Sequence, residues 1–438
     1  MARNYSTRSF FRHAPMALLE RYFHSQGLFG GLPFSTFRPN RHEPLLEAWG
    51  TLGDDARSTI EADFCEIFEL SSEKGVAAIL DAANQQLAEG PEDAADTELA
   101  AGDEPSARSF RLKLSALTSH FERAMVTFLD HPQLWRVALH FYRVDALISW
   151  RKRTGFPQGE PIVDPAAILR LESAIGEYFH ESEARGRHCK VETLRRGDLD
   201  YFFAYPEDYA QRTLEWVKGS FIARRHNPAF EVIFVFGHKE GTLDINARGG
   251  PKTIDALQQI FARAVLGTEN LEPQMVAAAS YNLNPLRRRD FSFAIPPGSG
   301  IGSVRLRKLR LTSRVNRREQ ITVEANDKHN LLAVHDLLAR IEASVPSQAY
   351  DVTLAEISAH LVGKRKSERI VTFRLTLPTS CSLRYDDEGL KLRAMLAASG
   401  LEPREPYRQG GPATPSPPAA SPDDPPMTNA PSREVQEA

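Results

Sequence analysis

The chain has 438 residues, of which 42% are hydrophobic and 25% are charged, and its formal net charge is −3. This composition is ordinary for globular proteins, and the length is more than one hydrophobic core usually supports. The longest apolar runs, such as residues 232–236 and 275–279, are far shorter than the roughly 20 residues that cross a bilayer. We therefore expect more than one compact unit, no membrane partner and no whole-chain charge that favours nucleic acid.

The cysteines and the N-terminal segment bear on where the protein resides. Cys65, Cys189 and Cys381 are far apart and show no CxxC or Cys/His spacing, so the pattern predicts free thiols and neither a metal site nor a cofactor. The short apolar segment 16–19 cannot serve as the core of a signal peptide. The sequence therefore predicts a cytoplasmic protein, and its preference for Arg and Ala is typical of a bacterial source.

Helical periodicity dominates the first 185 residues. The patterned segments share apolar side chains at three- and four-residue spacing. They are residues 15–27, a helix that begins near Asp54, and residues 72–87, 107–129, 134–150 and 164–183. Residues 89–104 hold seven acids and no basic residue, which is typical of an exposed loop. We expect a helical domain over residues 1–185 that contains this acidic loop.

The apolar period changes to two after Gly186. Residues 189–194 and 199–205 predict a hairpin, and the continuous apolar run 230–236 predicts a central strand that turns into 242–247. A helix over 251–266 completes this strand-strand-helix unit. The same order recurs at residues 304–312, 320–325 and 330–341, and again at residues 350–361, 370–377 and 386–398.

This order of elements predicts the fold class α+β, with a helical N-terminal domain followed by an antiparallel strand-strand-helix domain over residues 186–401. Whether the three units are true repeats stays open, because only their order matches. Residues 402–438 contain ten prolines and few large apolar side chains. The sequence predicts a disordered Pro-rich tail there, since such a segment buries too little apolar surface to offset its ordering entropy.

The chemically most unusual stretch is rich in arginine, with Asp290 as its one acidic residue. Its ten basic residues, here named the arginine strip, are Arg287, Arg288, Arg289, Arg305, Arg307, Lys308, Arg310, Arg314, Arg317 and Arg318. On a regular strand Arg305 and Arg307 share one face and Lys308 and Arg310 the other, so all four stay in water only at a bulge or an edge. Arginine forks bind phosphates, which predicts contact with DNA or RNA. The competing interpretation is a solvated face that protects an edge strand.

A second candidate is the junction between a predicted strand and the helix over 251–266. Gly249, Gly250, Lys252 and Thr253 would offer backbone N–H groups, a positive charge and a hydroxyl to an anion at the helix N-terminus. The GxxxxGK spacing of a phosphate-binding loop is missing. The alternative is a glycine turn with Pro251 at the first helical position.

Catalytic motifs such as HExxH and GxSxG are missing from the sequence. The sequence therefore favours a non-enzymatic binding protein that contacts nucleic acid, or an acidic surface of a partner protein, through the arginine strip. The enzymatic alternative is a metal-dependent nuclease or phosphate-processing enzyme, which needs at least two of Asp198, Asp200, Glu231 and Asp244 in one cleft. A further alternative is a scaffold or sensor subunit of a multi-protein system, with the tail as a tether.

Overall fold

A computed structural model describes residues 5–37, 43–87, 106–269, 271, 280–327, 330–362 and 368–402. Within these residues the fold class is α+β, as the sequence predicts, with most helices before residue 185 and most strands after it. The predicted acidic loop 89–104 and residues 403–438 of the predicted tail lie outside the described residues.

The first eight described helices pack on one side of a large sheet. They are α1 (Thr7–His13), α2 (Met16–Ser25), α3 (Glu43–Gly50), α4 (Asp54–Leu70), α5 (Glu73–Gln86), α6 (Ala107–Ala116), α7 (His120–Asp130) and α8 (Pro132–Ala146). Ser72, Ser106 and Ser119 each accept a hydrogen bond from the backbone N–H three residues later, at 3.1, 3.2 and 3.1 Å. These caps start α5, α6 and α7 by satisfying N–H groups that have no partner inside the helix.

Two predicted helices have different bounds in the structure. The segment 107–129 forms two helices, α6 and α7, because Ser119 caps a new helix after a short break. The helix predicted over 134–150 ends at Ala146, and Trp150 begins a strand. Helix α9 (Pro165–Glu183) begins as the sequence predicts, with Asp164 as its cap and proline at its first position.

Antiparallel strands form one ten-stranded sheet and one separate two-stranded ribbon. The strands are β1 (Trp150–Arg153), β2 (Cys189–Arg196), β3 (Leu199–Pro206), β4 (Gln211–Val217), β5 (Ser220–His226), β6 (Val232–Gly237), β7 (Thr242–Asn246), β8 (Ile301–Ser313), β9 (Gln320–Glu324), β10 (Tyr350–Val362), β11 (Glu368–Thr376) and β12 (Ser380–Cys381). The sheet order is β2-β3-β6-β7-β1-β12-β11-β10-β8-β9, and β4 pairs with β5. Helices α10 (Pro251–Leu266), α11 (Ala333–Ile341) and α12 (Asp387–Ala398) and two short 3-10 helices, Phe34–Thr36 and Asn284–Arg287, complete the described elements.

Strand β1 lies at the centre of the sheet, although its residues belong to the segment that the sequence assigns to the helical domain. Arg151 opposes Ile245 of β7 on one side and Ser380 of β12 on the other. Because β1 joins the two halves of the sheet, the strands before and after residue 300 form one continuous structure. Its sequence, Trp-Arg-Lys-Arg, has no apolar alternation that would predict a strand.

Hydrophobic clusters cover both faces of the first half of the sheet. Tyr201 and Phe203 of β3 pack with the N-terminal helices, whereas Phe202 packs on the opposite face with α9 and α10. Burial on both faces explains why β6 is a continuous apolar run. The second half of the sheet has its own cluster, which includes Leu392 of α12 and Val334 of α11.

All three strand-strand-helix units are present in the predicted order, as β6-β7-α10, β8-β9-α11 and β10-β11-α12. The second and third units are interlocked, since β8 pairs with both β9 and β10. The predicted hairpin also forms, with Arg195 opposite Asp200 beside its turn. The ribbon of β4 and β5 is an addition that the predicted elements do not include.

Candidate functional site

The arginine strip contains a bulge, which is one of the two features that the sequence predicts for β8. Glu356 of β10 opposes Lys308, and the next residue, Ile357, opposes Leu306, so Arg307 is the extra residue of β8. Leu306, Leu309 and Leu311 are buried in the core cluster of this half of the sheet. Arg305, Lys308 and Arg310 are the direct neighbours of these leucines in β8, so by strand alternation their side chains point away from that core.

Most of the strip is bonded within the protein. Five members contact carboxylates: Arg287 with Glu342 at 3.1 Å, Arg288 with Asp290 at 2.6 Å, Arg289 with Asp336 at 2.6 Å, Lys308 with Glu324 at 2.7 Å, and Arg314 with Asp351 at 2.7 Å. Arg305 is 6% exposed and donates to the Asp327 carbonyl oxygen at 2.8 Å, and Arg307 donates to Asn326 Oδ1 at 3.0 Å. Arg317 and Arg318 follow on the connection between β8 and β9. The expectation that all four basic residues of β8 stay in water is wrong for Arg305, which is buried, and β8 is not an edge strand because β9 and β10 flank it. Phosphate binding by the strip stays a prediction.

The predicted anion junction has the geometry of a glycine turn. Gly249 has a φ of 125°, and a Cβ at this position would lie 2.8 Å from the Thr253 side chain. Gly250 is the N-cap of α10 without a side-chain cap, and Pro251 occupies the first helical position. Lys252 is exposed beside it. Backbone conformation thus accounts for Gly249 without a ligand.

Three of the four carboxylates of the enzymatic alternative have separate partners, and the fourth, Glu231, is exposed. Asp198 pairs with Lys239 at 2.8 Å, and Asp200 contacts His238 Nδ1 at 2.7 Å. By strand alternation Asp200 lies on the Phe202 face of the sheet, and Asp244 lies on the opposite face from its neighbours Leu243 and Ile245. The described residues contain no group of three or more His, Cys, Asp or Glu side chains that could hold a metal ion.

Asp244 belongs to a buried polar cluster at the centre of the sheet. Its Oδ2 accepts a hydrogen bond from Tyr385 Oη at 2.6 Å and lies 3.6 Å from Lys152 Nζ, while Oδ1 lies 3.6 Å from Arg393 Nη1. Lys152 also donates to Glu402 Oε1. Burial alone would lower the pKa of Lys152, but the carboxylates of Glu402 and Asp244 raise it above its ordinary value. The cluster is enclosed in protein and links four distant segments of the chain.

The ribbon of β4 and β5 extends two strands of the sheet. Glu207 bridges to Ala229, and the Asp208 N–H donates to the Pro228 carbonyl oxygen at 2.7 Å, so the β3–β6 pair continues into the ribbon. We name residues 211–226 the arm. Its two-residue turn is Lys218-Gly219, with φ values of 49° and 74°, and positive φ at both positions matches the right-handed twist of a hairpin.

One face of the arm carries exposed aromatic and basic side chains. Trp216 lies opposite Phe221, and Arg212 lies opposite Arg225. Leu214 is on the same strand, two residues before Trp216. Positions separated by two residues share a face, so these five side chains line one side of the arm. Trp216 is 72% exposed, Leu214 63% and Phe221 58%, and the two rings lie 5.3 Å apart.

The arm combines this apolar surface with positive charge. Arg212, Lys218, Arg224 and Arg225 stand against Glu215 as the one acid. The predicted sites do not include the arm, although two seven-residue stretches around Lys218-Gly219 are a local hairpin signal. A large exposed apolar face with like charges around it is typical of an interaction surface.

No family model matches the chain, and a search of curated proteins finds no similar sequence. None of the helices in the described ranges is both long and apolar enough for a membrane span.

Proposed function

We propose that the protein binds single-stranded nucleic acid through the arm, as a non-enzymatic cytoplasmic protein. The observation that carries the proposal is the exposed Trp216–Phe221 pair on the same face as Arg212 and Arg225. Aromatic rings stack on bases, and each stacked base contributes about 1–3 kcal/mol. The three free cysteines support a cytoplasmic location, since thiols stay reduced there.

The spacing of the two kinds of side chain suits a strand of nucleic acid. Arg212 precedes Trp216 by four residues, which is about 13 Å along a strand. A few nucleotides of a single strand span this distance. Bases can therefore stack at the tip of the arm while arginine forks contact phosphates nearer the sheet. A single strand suits exposed rings better than a duplex, whose bases are already stacked.

Tryptophan fluorescence gives a direct test. Of the four tryptophans, Trp49, Trp135 and Trp150 are at most 8% exposed, whereas Trp216 is 72% exposed. An oligothymidylate titrated into the full chain should quench the Trp216 emission and bind less tightly as salt rises. Trp216→Phe should remove the quenching, and Arg212→Ala with Arg225→Ala should lower the log–log salt slope by about 1.4.

Arg263→Ala is the matched control, because Arg263 is an exposed arginine on α10, remote from the arm in sequence. It should leave both the quenching and the slope unchanged. Binding that is absent, independent of salt, or equal for Trp216→Ala would reject the proposal. A chain that ignores oligonucleotides but captures an acidic peptide through Trp216 would instead identify the arm as a protein-docking surface.

A further inference from the structure

A cavity opens beside the base of the arm and has no part in the proposed nucleic-acid contact. It has a volume of about 670 Å³ and lies between the C-terminal end of α4, helix α8 and strands β3 and β6. The arm starts just beyond Tyr205 and Glu231, which line the cavity, and its tip returns to α4, where Lys218 Nζ lies 3.7 Å from Asp55 Oδ2.

The walls of the cavity are apolar and aromatic. Phe68 closes one side, Val144 and Leu147 come from α8 and its end, and Phe203 and Ile233 form the sheet side. All five are buried or half-buried. A site of this size with an apolar lining suits a small organic molecule whose body is hydrophobic.

The polar groups of the lining favour a cation. Glu69 and Glu231 both line the cavity and are exposed to water at its rim. Arg143 is the one lining side chain with a fixed positive charge, and its Nη2 already lies 3.7 Å from Glu66 Oε1. His140, the remaining basic side chain of the lining, has its Nε2 3.0 Å from Glu192 Oε2. The carboxylates around the cavity therefore outnumber the positive charges that could neutralise them.

Aromatic groups strengthen this preference. The His140 ring packs against Phe203 with centroids 4.8 Å apart, and Tyr205 Oη lies 3.2 Å from His140 Nε2. Burial raises the pKa of Tyr205 to about 12, so its side chain is a neutral phenol at physiological pH. Neutral aromatic faces attract ammonium groups.

We propose that this cavity binds an organic amine, with the ammonium group at Glu69 and Glu231 and an apolar body of about six carbons against Phe68, Leu147 and Phe203. The ammonium exchanges its hydration for two carboxylates, and the apolar body loses contact with water. A carboxylate ligand would meet like charges at the rim and is excluded.

The test uses three probes that differ only in the head group: hexylamine, hexanol and hexanoate. Each is titrated into the full chain, and binding is measured from the saturation-transfer NMR signals of the probe. Hexylamine should bind more tightly than hexanol, and hexanoate should show no transfer. Equal or stronger binding of hexanoate, or absence of hexylamine binding, would overturn the proposal.

Charge-removing variants locate the ammonium group. Glu69→Gln and Glu231→Gln should each weaken hexylamine binding by about 3- to 10-fold and leave hexanol unaffected. Glu181→Gln, an exposed position on α9 at the other face of the sheet, is the control and should change nothing. Unchanged hexylamine affinity in both cavity variants would also overturn the proposal.

A blocking variant separates the cavity from the surface around it. Ala146 lines the cavity and is exposed, so Ala146→Trp should occupy part of the space without disturbing the core. It should weaken the binding of both hexylamine and hexanol while the thermal unfolding temperature stays within a few degrees of the parent. Oligonucleotide binding by this variant should be normal. The proposed amine site and the proposed nucleic-acid contact are therefore tested independently.

Discussion

The Glu402 carboxylate accepts a hydrogen bond from the Lys152 ammonium group, 250 positions earlier in the chain. Both side chains are nearly enclosed, with exposed fractions of 10% and 7%. The contact fastens the last described residue to the central strand of the sheet. Glu402 is the first residue of the predicted tail, so the ordered part of the chain extends into that segment by at least this residue.

Removing Glu402 should therefore destabilise the whole fold. The Glu402→Ala variant leaves the Lys152 charge buried with Asp244 as its one nearby carboxylate, and loss of one partner of a buried pair costs about 3–5 kcal/mol. We expect the urea midpoint of Glu402→Ala to fall well below that of the parent. Equal midpoints would show that the contact contributes nothing to stability.

Asp145 should make the stability of the fold depend on pH. Burial raises its pKa from 3.8 to about 6, even though Arg196 pairs with it at 2.7 Å. The folded state then binds more protons than the unfolded state between pH 4 and pH 6, so stability falls as pH rises through that range. Above about pH 6 the effect is complete.

The Asp145→Asn variant isolates this effect. Between pH 4 and pH 7 the unfolding free energy of the parent should fall by about 2 kcal/mol relative to that of Asp145→Asn. Chemical denaturation at several pH values measures this difference. Parallel curves for the two proteins would show that Asp145 titrates at its ordinary pKa.

The turn of the arm should tolerate asparagine at position 218 but should be destabilised by alanine at position 219. Gly219 has a φ of 74°, where alanine costs about 1 kcal/mol, so Gly219→Ala should loosen the arm. Hydrogen exchange over residues 211–226 should accelerate while global unfolding is unchanged, because an isolated ribbon is marginally stable. Lys218→Asn should be neutral or stabilising, since Asn-Gly is a preferred hairpin turn.

Binding through the arginine strip and binding through the arm predict different results for one triple variant. Replacing Arg305, Arg307 and Arg310 by Ala should leave the salt slope of oligonucleotide binding unchanged if the arm is the binding surface. Arg305 and Arg307 already bond to Asp327 and Asn326, so the variant should lower stability instead. A flatter salt slope with unchanged stability would show that the arginine strip contacts the phosphates.

Local patterns in the sequence predicted most helices and strands, because their causes lie within a few residues. Asp164 with Pro165 starts α9, and the continuous apolar run of β6 reflects burial on both faces. The alternation of β8 predicts a bulge or an edge position, and the bulge lies at Arg307. The arm has a local turn signal at Lys218-Gly219, but its side chains show no buried face that would set the register of its two strands.

By itself the sequence determined the α+β class, the order of the elements and the concentration of arginine, since these depend on neighbouring residues. Tertiary structure alone decided which charged side chains form ion pairs and with which partners. Lys152 finds its partners at Asp244 and Glu402, and the arginine strip finds carboxylates such as Glu342 and Asp351. Pairing between residues that distant in the chain follows from the sheet order, which no local pattern encodes. The same folding left Trp216 without cover, and that exposure is what singles out the arm.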